Sequence, residues 1–251
     1  MWGIVPAAGI GSRIQPLAFS KELLPVGSRF EGEAERPRAV SEYLVDRMLL
    51  AGATRICFVI SPGKSDIVSY FGGAIGGASL CYAVQQQPNG LCDALFHALP
   101  FISPEEHVLV GLPDTVWYPE EGFGALGDDD LSFLCFPVER PEFFDAVVMD
   151  EHDNVIEIQV KTPGARSNWI WGAFKLRARV LAELREVWLA RGASDHYIGT
   201  IVNEWIAQGG RARAVRAGTA YVDVGTLHGY REAITLLAMS PNVIPVTRIG
   251  A

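Results

Sequence analysis

The residues best suited to chemistry open the chain. Pro6-Ala7-Ala8-Gly9-Ile10-Gly11-Ser12-Arg13 follows a short apolar run, Trp2 to Ala8. Glycines in such a turn allow positive φ and close approach of a ligand. Successive main-chain N–H groups there form a concave anion site. Arg13 adds a fixed cation whose planar fork suits phosphate oxygens. Lys21, in Lys21-Glu22-Leu23-Leu24-Pro25-Val26, stands close enough in sequence to neutralise charge on a reacting phosphoryl group. Two familiar phosphate sites are excluded. A dinucleotide fingerprint needs a glycine at Ile14, and Pro16 interrupts the helix that should follow. A P-loop needs Gly-Lys-Ser/Thr after the turn, which is missing.

Two aspartates sit on or beside expected strands: Asp114 in Leu112-Pro113-Asp114 and Asp223 in Tyr221-Val222-Asp223-Val224-Gly225-Thr226. The end of a strand is the usual ligand position in an open parallel sheet. Carboxylates are hard oxygen donors of the kind Mg²⁺ shares with phosphates.

Taken together, the run from Ala7 to Leu17 and the segment Lys21 to Val26 resemble the N-terminal signature of the sugar nucleotidyltransferases, which include glucose-1-phosphate thymidylyltransferases and uridylyltransferases. The resemblance implies transfer of a nucleoside monophosphate from dTTP or UTP to a sugar 1-phosphate, with glucose 1-phosphate the expected one, and release of pyrophosphate. It places Ala8, Gly9 and Gly11 on the nucleotide and makes Arg13 and Lys21 catalytic. Gln85-Gln86-Gln87-Pro88-Asn89-Gly90-Leu91 resembles the family's base-reading loop, so Gln85 is expected on a pyrimidine and Gly90 against it. The same resemblance makes Asp114 and Asp223 the ligands of Mg²⁺, the expected cofactor. It sets Lys161, in Val160-Lys161-Thr162-Pro163, on the sugar phosphate, and Gly172 on a strand facing the sugar. Departures gather in the sugar half. The family's glutamate before the lysine is Val160, a glycine before the preceding strand is Asp145, and a Thr-Asp pair in a late helix is Gly199-Thr200. Two other readings stay open: a cytidylyltransferase acting on another phosphorylated substrate, and a non-catalytic nucleotide-binding regulator.

Alternating segments must carry these residues. Strands are expected at Ile56–Ile60, Ser79–Val84 and Val108–Leu112, with helices at Ser41–Leu50, Asp66–Phe71 and Leu91–Leu99. This βα alternation predicts a Rossmann-like α/β fold, a mixed and mostly parallel sheet flanked by helices. The second half predicts a strand at Leu131–Val138, a hairpin around His152-Asp153-Asn154, and a strand at Trp169–Leu176. Helices at Val180–Leu189, Ile198–Ala207 and Tyr230–Leu237 and a strand at Tyr221–Val224 complete it. Ser28–Arg38 and Pro119–Asp130 read as loops. One domain over 1–251 is expected, with a nucleotide lobe near 1–118 and a sugar lobe near 131–251.

Composition agrees. Of 251 residues 49% are hydrophobic, enough for a large core, and the net charge of -8 argues against a nucleic-acid partner. Cys57, Cys81, Cys92 and Cys135 form no Cys-x-x-Cys pair and are expected reduced. No signal peptide and no apolar stretch of the ~20 residues that span a bilayer is read, so a cytoplasmic enzyme is expected, with no membrane partner. No hexapeptide repeat is seen, and assembly into a homo-oligomer is compatible with the resemblance.

Overall fold

The computed structural model describes residues 1–238. The last part of the expected second lobe, 239–251, lies outside the described residues. A ten-stranded sheet forms the centre. Its parallel middle is Ala78–Val84, Arg55–Ile60, Trp2–Pro6 and His107–Gly111 in spatial order. These strands carry near-continuous apolar residues because helices cover both faces. Trp169–Arg177 then pairs antiparallel with His107–Gly111 and carries the sheet into its second half. There it splits. One branch is the hairpin Asp145–Met149 and Val155–Val160, and the other is Leu131–Pro137 with Arg213–Val215.

Expected and observed elements agree closely where the apolar period is strong. The helices Val40–Leu50, Ser65–Phe71, Ala178–Ala190, Ile198–Ala207 and Leu227–Ala238 lie where the pattern puts them. The helix after the base-reading segment is shorter than expected, Gly90–Phe96.

Ser28–Arg38 is not a loop. It forms an antiparallel hairpin, Pro25–Glu31 with Ala34–Ala39, turning at Gly32 with φ +62°. Its charges are absorbed in pairs: Arg29 binds Glu42 at 2.7 Å and Glu31 at 2.6 Å. Pro119–Asp130 contains a one-turn helix, Gly122–Ala125, held by buried Phe123 and Leu126.

A two-stranded ladder outside the central sheet matters most for function. Thr115–Tyr118 pairs antiparallel with Ala220–Asp223, opposing Asp223 to Thr115. That pairing brings the chain ends after Asp114 and Asp223 side by side. Among the described residues, no helix is long and apolar enough to cross a membrane. The four cysteines are free, and burial pushes the thiols of Cys92 and Cys135 up to about 12, which leaves them inert.

Candidate active site

A cavity of about 490 Å³ opens at the carboxyl ends of the parallel strands. Ala8, Gly9, Gly11, Arg13, Lys21, Gln85, Gly90, Asp114, Lys161 and Asp223 all line it.

The turn after the first strand is built to receive an anion. Among the described residues, the N–H groups of Ala8, Gly9 and Gly11 have no hydrogen-bond partner. Its carbonyls, in contrast, are tied down. The buried Lys64 ammonium donates to Ala7 O at 2.6 Å and Gly9 O at 2.7 Å, and to both Glu22 oxygens at 2.8 Å. Burial works against both charges of this pair, raising Glu22 and lowering Lys64, while their mutual attraction resists it. Lys64 thus occupies two carbonyls of the turn, while the N–H groups of Ala8, Gly9 and Gly11 stay open to a ligand.

Gly11 has φ +69°, and a Cβ there would lie 2.5 Å from Lys21 Cδ. The absent side chain is what lets the Lys21 stem pass beneath the turn. Ser20, just before it, is clamped by Asp66: its N–H donates at 2.7 Å and its hydroxyl at 2.6 Å.

Four charges converge next to this turn. Lys21 Nζ pairs with Asp114 Oδ2, and Arg13 Nη2 with Asp223 Oδ2 at 3.1 Å. A methyl placed on Gly225 would stand 2.8 Å from Asp223 Oδ1, 3.0 Å from Asp114 Oδ2 and 3.3 Å from Arg13 Nη2. Gly225 thus keeps open the point on which both carboxylates and Arg13 converge. Burial alone would lower Lys21, but Asp114, Glu22 and Asp223 outweigh it and hold the ammonium above its ordinary value. Burial likewise pushes Asp114 up, yet Lys21 and Arg13 keep its carboxyl below the ordinary range. Both groups of the pair are charged. Among the described residues, no cluster of three or more metal-ligating side chains exists. The two carboxylates are the protein donors on offer.

Gln85 is buried, and its amide nitrogen donates to Gly90 O at 3.1 Å and Asp93 Oδ2 at 2.7 Å. Both donors are drawn inward, so the side-chain carbonyl is the end left to face a ligand. Gly90 has φ +89°, and a Cβ there would strike His196 Cα at 2.7 Å. Its need for glycine comes from the segment carrying His196, whose carbonyl accepts from Leu91 N at 3.1 Å.

The opposite wall is aromatic. Phe143, Phe144, Trp171, Tyr197 and Tyr221 line it with Asp145 and Lys161. Lys161 has φ 44°, a left-handed conformation that favours glycine, and its Nζ lies 4.8 Å from the Tyr197 ring centre. Gly172 does not line the cavity. Its Cβ position is filled by Tyr221 at 2.5 Å and Phe136 at 2.6 Å, and it is the extra residue of a bulge between Trp171 and Ala173. Gly172 therefore sits behind the wall that was expected to include it, making room for Tyr221.

Sequence reasoning missed Lys64, His196, Tyr197, Trp171 and Tyr221. Nothing local marks them, because each reaches the site through tertiary contacts. Asp145 was noticed only as a departure.

Residues 2–240 match the profile of the nucleotidyl transferase family. A glucose-1-phosphate thymidylyltransferase of Neisseria meningitidis is 26% identical, the alignment covering 97% of this chain and 84% of that protein. One from Mycolicibacterium smegmatis is 25% identical, covering 93% of this chain and 81% of that protein. A Bacillus anthracis protein described as a glucose-1-phosphate thymidylyltransferase, solved with sucrose, superposes with TM-score 0.79 at 25% identity over 96% of both chains. A UTP-bound UGPase from Acinetobacter baumannii shares the fold, with TM-score 0.76 and 19% identity over 96% of this chain and 95% of that one.

Proposed function

The chain belongs to the nucleotidyl transferase family, as a sugar-1-phosphate nucleotidyltransferase, and we propose that it transfers a nucleoside monophosphate from dTTP or UTP to a sugar 1-phosphate, with glucose 1-phosphate the leading acceptor. The observation that carries this reading is the convergence of Arg13, Asp114 and Asp223 on Gly225, with Lys21 paired to Asp114, beside a turn with free N–H groups. Simple nucleotide binding does not need that full set.

In this reading the N–H groups of Ala8, Gly9 and Gly11 and the Arg13 guanidinium hold the departing phosphates. Lys21 meets charge developing at the α-phosphorus, and Lys161 holds the incoming phosphate. The acceptor phosphate oxygen attacks in line and pyrophosphate leaves. Such chemistry needs positioning and charge neutralisation more than a covalent intermediate. Asp114 and Asp223 fit a divalent cation of the Mg²⁺ type: two hard oxygen donors face one gap that a methyl would fill. Bound there, the ion would neutralise phosphate charge. The chain's own cations are paired with these carboxylates, so substrate entry exchanges one set of partners for another. Residues 1–118 read as the nucleotide lobe and 131–251 as the sugar lobe.

Base choice follows from Gln85. Its carbonyl can accept from the ring N3–H of thymine or uracil. Cytosine and adenine have no ring N–H on that edge, so carbonyl would face lone pair. A site built on hydrogen bonds rejects such partners strongly. Pyrophosphate release from four nucleoside triphosphates, crossed with a panel of sugar phosphates, tests this. Turnover confined to dTTP or UTP and stopped by EDTA is expected. Equal turnover with ATP or CTP overturns the base assignment, and undiminished release in excess EDTA overturns the metal one.

A further inference from the structure

The helix behind the base-reading segment carries a carboxylate that no step above uses. Asp93 lies in the first turn of the helix Gly90–Phe96 and does not line the cavity. Its side chain is 14% exposed. Among the described residues its carboxylate accepts a single hydrogen bond, from Gln85 Nε2 to Oδ2 at 2.7 Å. The other oxygen lies 3.6 Å from His97 Nδ1, one turn further along. An acid in the first turn of a helix has an ordinary use, complementing the helix dipole. The hydrogen bond to Gln85 gives this one a second.

The two ends of an amide side chain are nearly equal in shape and opposite in polarity. Its surroundings therefore decide which end faces a ligand. Around Gln85 Nε2 stand two groups that only accept, Asp93 Oδ2 and the Gly90 carbonyl at 3.1 Å. Turning the amide over would set its oxygen against both, lone pair against lone pair, at a buried residue. No donor among the described residues reaches the Gln85 side-chain oxygen, which is left to the cavity that Gln85 lines. The two acceptors are unequal. The Gly90 carbonyl is neutral main chain, present whatever the residue. Asp93 is closer and charged, and charge-assisted hydrogen bonds are roughly twice as strong as neutral ones. Pyrimidines differ on the edge that the Gln85 oxygen would meet: thymine and uracil carry N3–H, and cytosine a lone pair.

We propose that Asp93 is a positioning residue: by holding Gln85 with its carbonyl toward the base, it makes the site choose thymine or uracil over cytosine. This rests on the proposed function, in which Gln85 reads the base.

Three variants test it. Asp93→Asn keeps the shape but can donate as well as accept, so a turned Gln85 finds a partner there. Asp93→Ser removes the acid and shortens the side chain. Asp93→Glu keeps a group that only accepts. Steady-state kinetics compare UTP with CTP, and dTTP with dCTP, with glucose 1-phosphate as acceptor. The cytosine nucleotides are also run as inhibitors, which defines the preference where their turnover is too slow. In Asp93→Asn and Asp93→Ser the preference for uracil or thymine over cytosine should fall at least about tenfold, as for loss of a hydrogen bond to a charged group. The acceptor KM should stay within about twofold, which reports an intact site. Asp93→Glu should hold the preference within about threefold. A role confined to the helix dipole would lower Tm and leave the preference unmoved. A preference unmoved in both Asp93→Asn and Asp93→Ser, or equally relaxed in Asp93→Glu, overturns this inference and leaves the proposed function standing. Wild type that uses cytosine nucleotides as well as uracil or thymine ones, or none of them, overturns the base assignment and this inference together.

Discussion

The two walls of the cavity are finished to different degrees. On the phosphate side every charged group has a protein partner: Lys64 with Glu22, Lys21 with Asp114, Arg13 with Asp223. Ser20, Gly11 and the Lys64-bound carbonyls fix the shape before any ligand arrives. On the acceptor side Phe143 and Tyr197 are 55% and 42% exposed, and among the described residues the buried Trp171 indole nitrogen closes no hydrogen bond of ordinary geometry. A prebuilt wall suits the part of the reaction that is common to many substrates. Unspent hydrogen-bonding capacity suits the part that must tell one acceptor from another, because an unpaired group penalises the wrong partner.

The largest test of this contrast removes a structural tie. Lys64→Ala would leave the fully buried Glu22 without its cation and free the carbonyls of Ala7 and Gly9. A loss of about 3–5 kcal/mol is expected in urea denaturation, as for other broken buried pairs. A loss below about 1 kcal/mol would mean the phosphate wall is not prebuilt in this way. Lys21→Ala comes next. Its kcat should fall about 10²–10³-fold, since a charge acting at the reacting centre is removed. A change confined to the nucleotide KM would make Lys21 a binding residue. Lys161→Ala should act on the other wall alone, raising the acceptor KM roughly tenfold with the nucleotide KM unmoved.

The smallest effect is a pH dependence belonging to the phosphate wall. Burial alone would raise Asp66, but the Ser20 hydroxyl and N–H and the Ile67 N–H hold its carboxyl below the ordinary 3.8. The stability it contributes is therefore full above that value and lost as pH falls through the lower folded one. Asp66→Asn should flatten the acid side of a plot of Tm against pH. An unchanged slope would show that the clamp on Ser20 carries no linkage.

The same contrast governs what could be read from the chain. Gly11, Arg13 and Lys21 lie within one short segment, where local backbone demand and local charge show in the sequence. Gly90 was legible as a glycine but not for its reason, which is a close approach from His196, more than a hundred residues away. Lys64 looks like any helix-flanking lysine until the fold buries it under the first turn. The hairpin Pro25–Ala39 was hidden because its charged residues mimic a solvated loop, and only Arg29 meeting Glu42 shows that they are internal. The strand Thr115–Tyr118 was missed because it is short, and its register with Ala220–Asp223 is what brings the two site aspartates together.

The alternation of charge around Gly225 has a consequence for how substrates arrive. One guanidinium, one ammonium and two carboxylates sum to zero, so their far field decays steeply with distance. On a chain of net charge -8, such a cluster gives little long-range pull on a polyphosphate. Capture is then a contact event, and the association rate of the nucleotide should respond weakly to ionic strength, unlike that of enzymes which steer anions with an open field of cations.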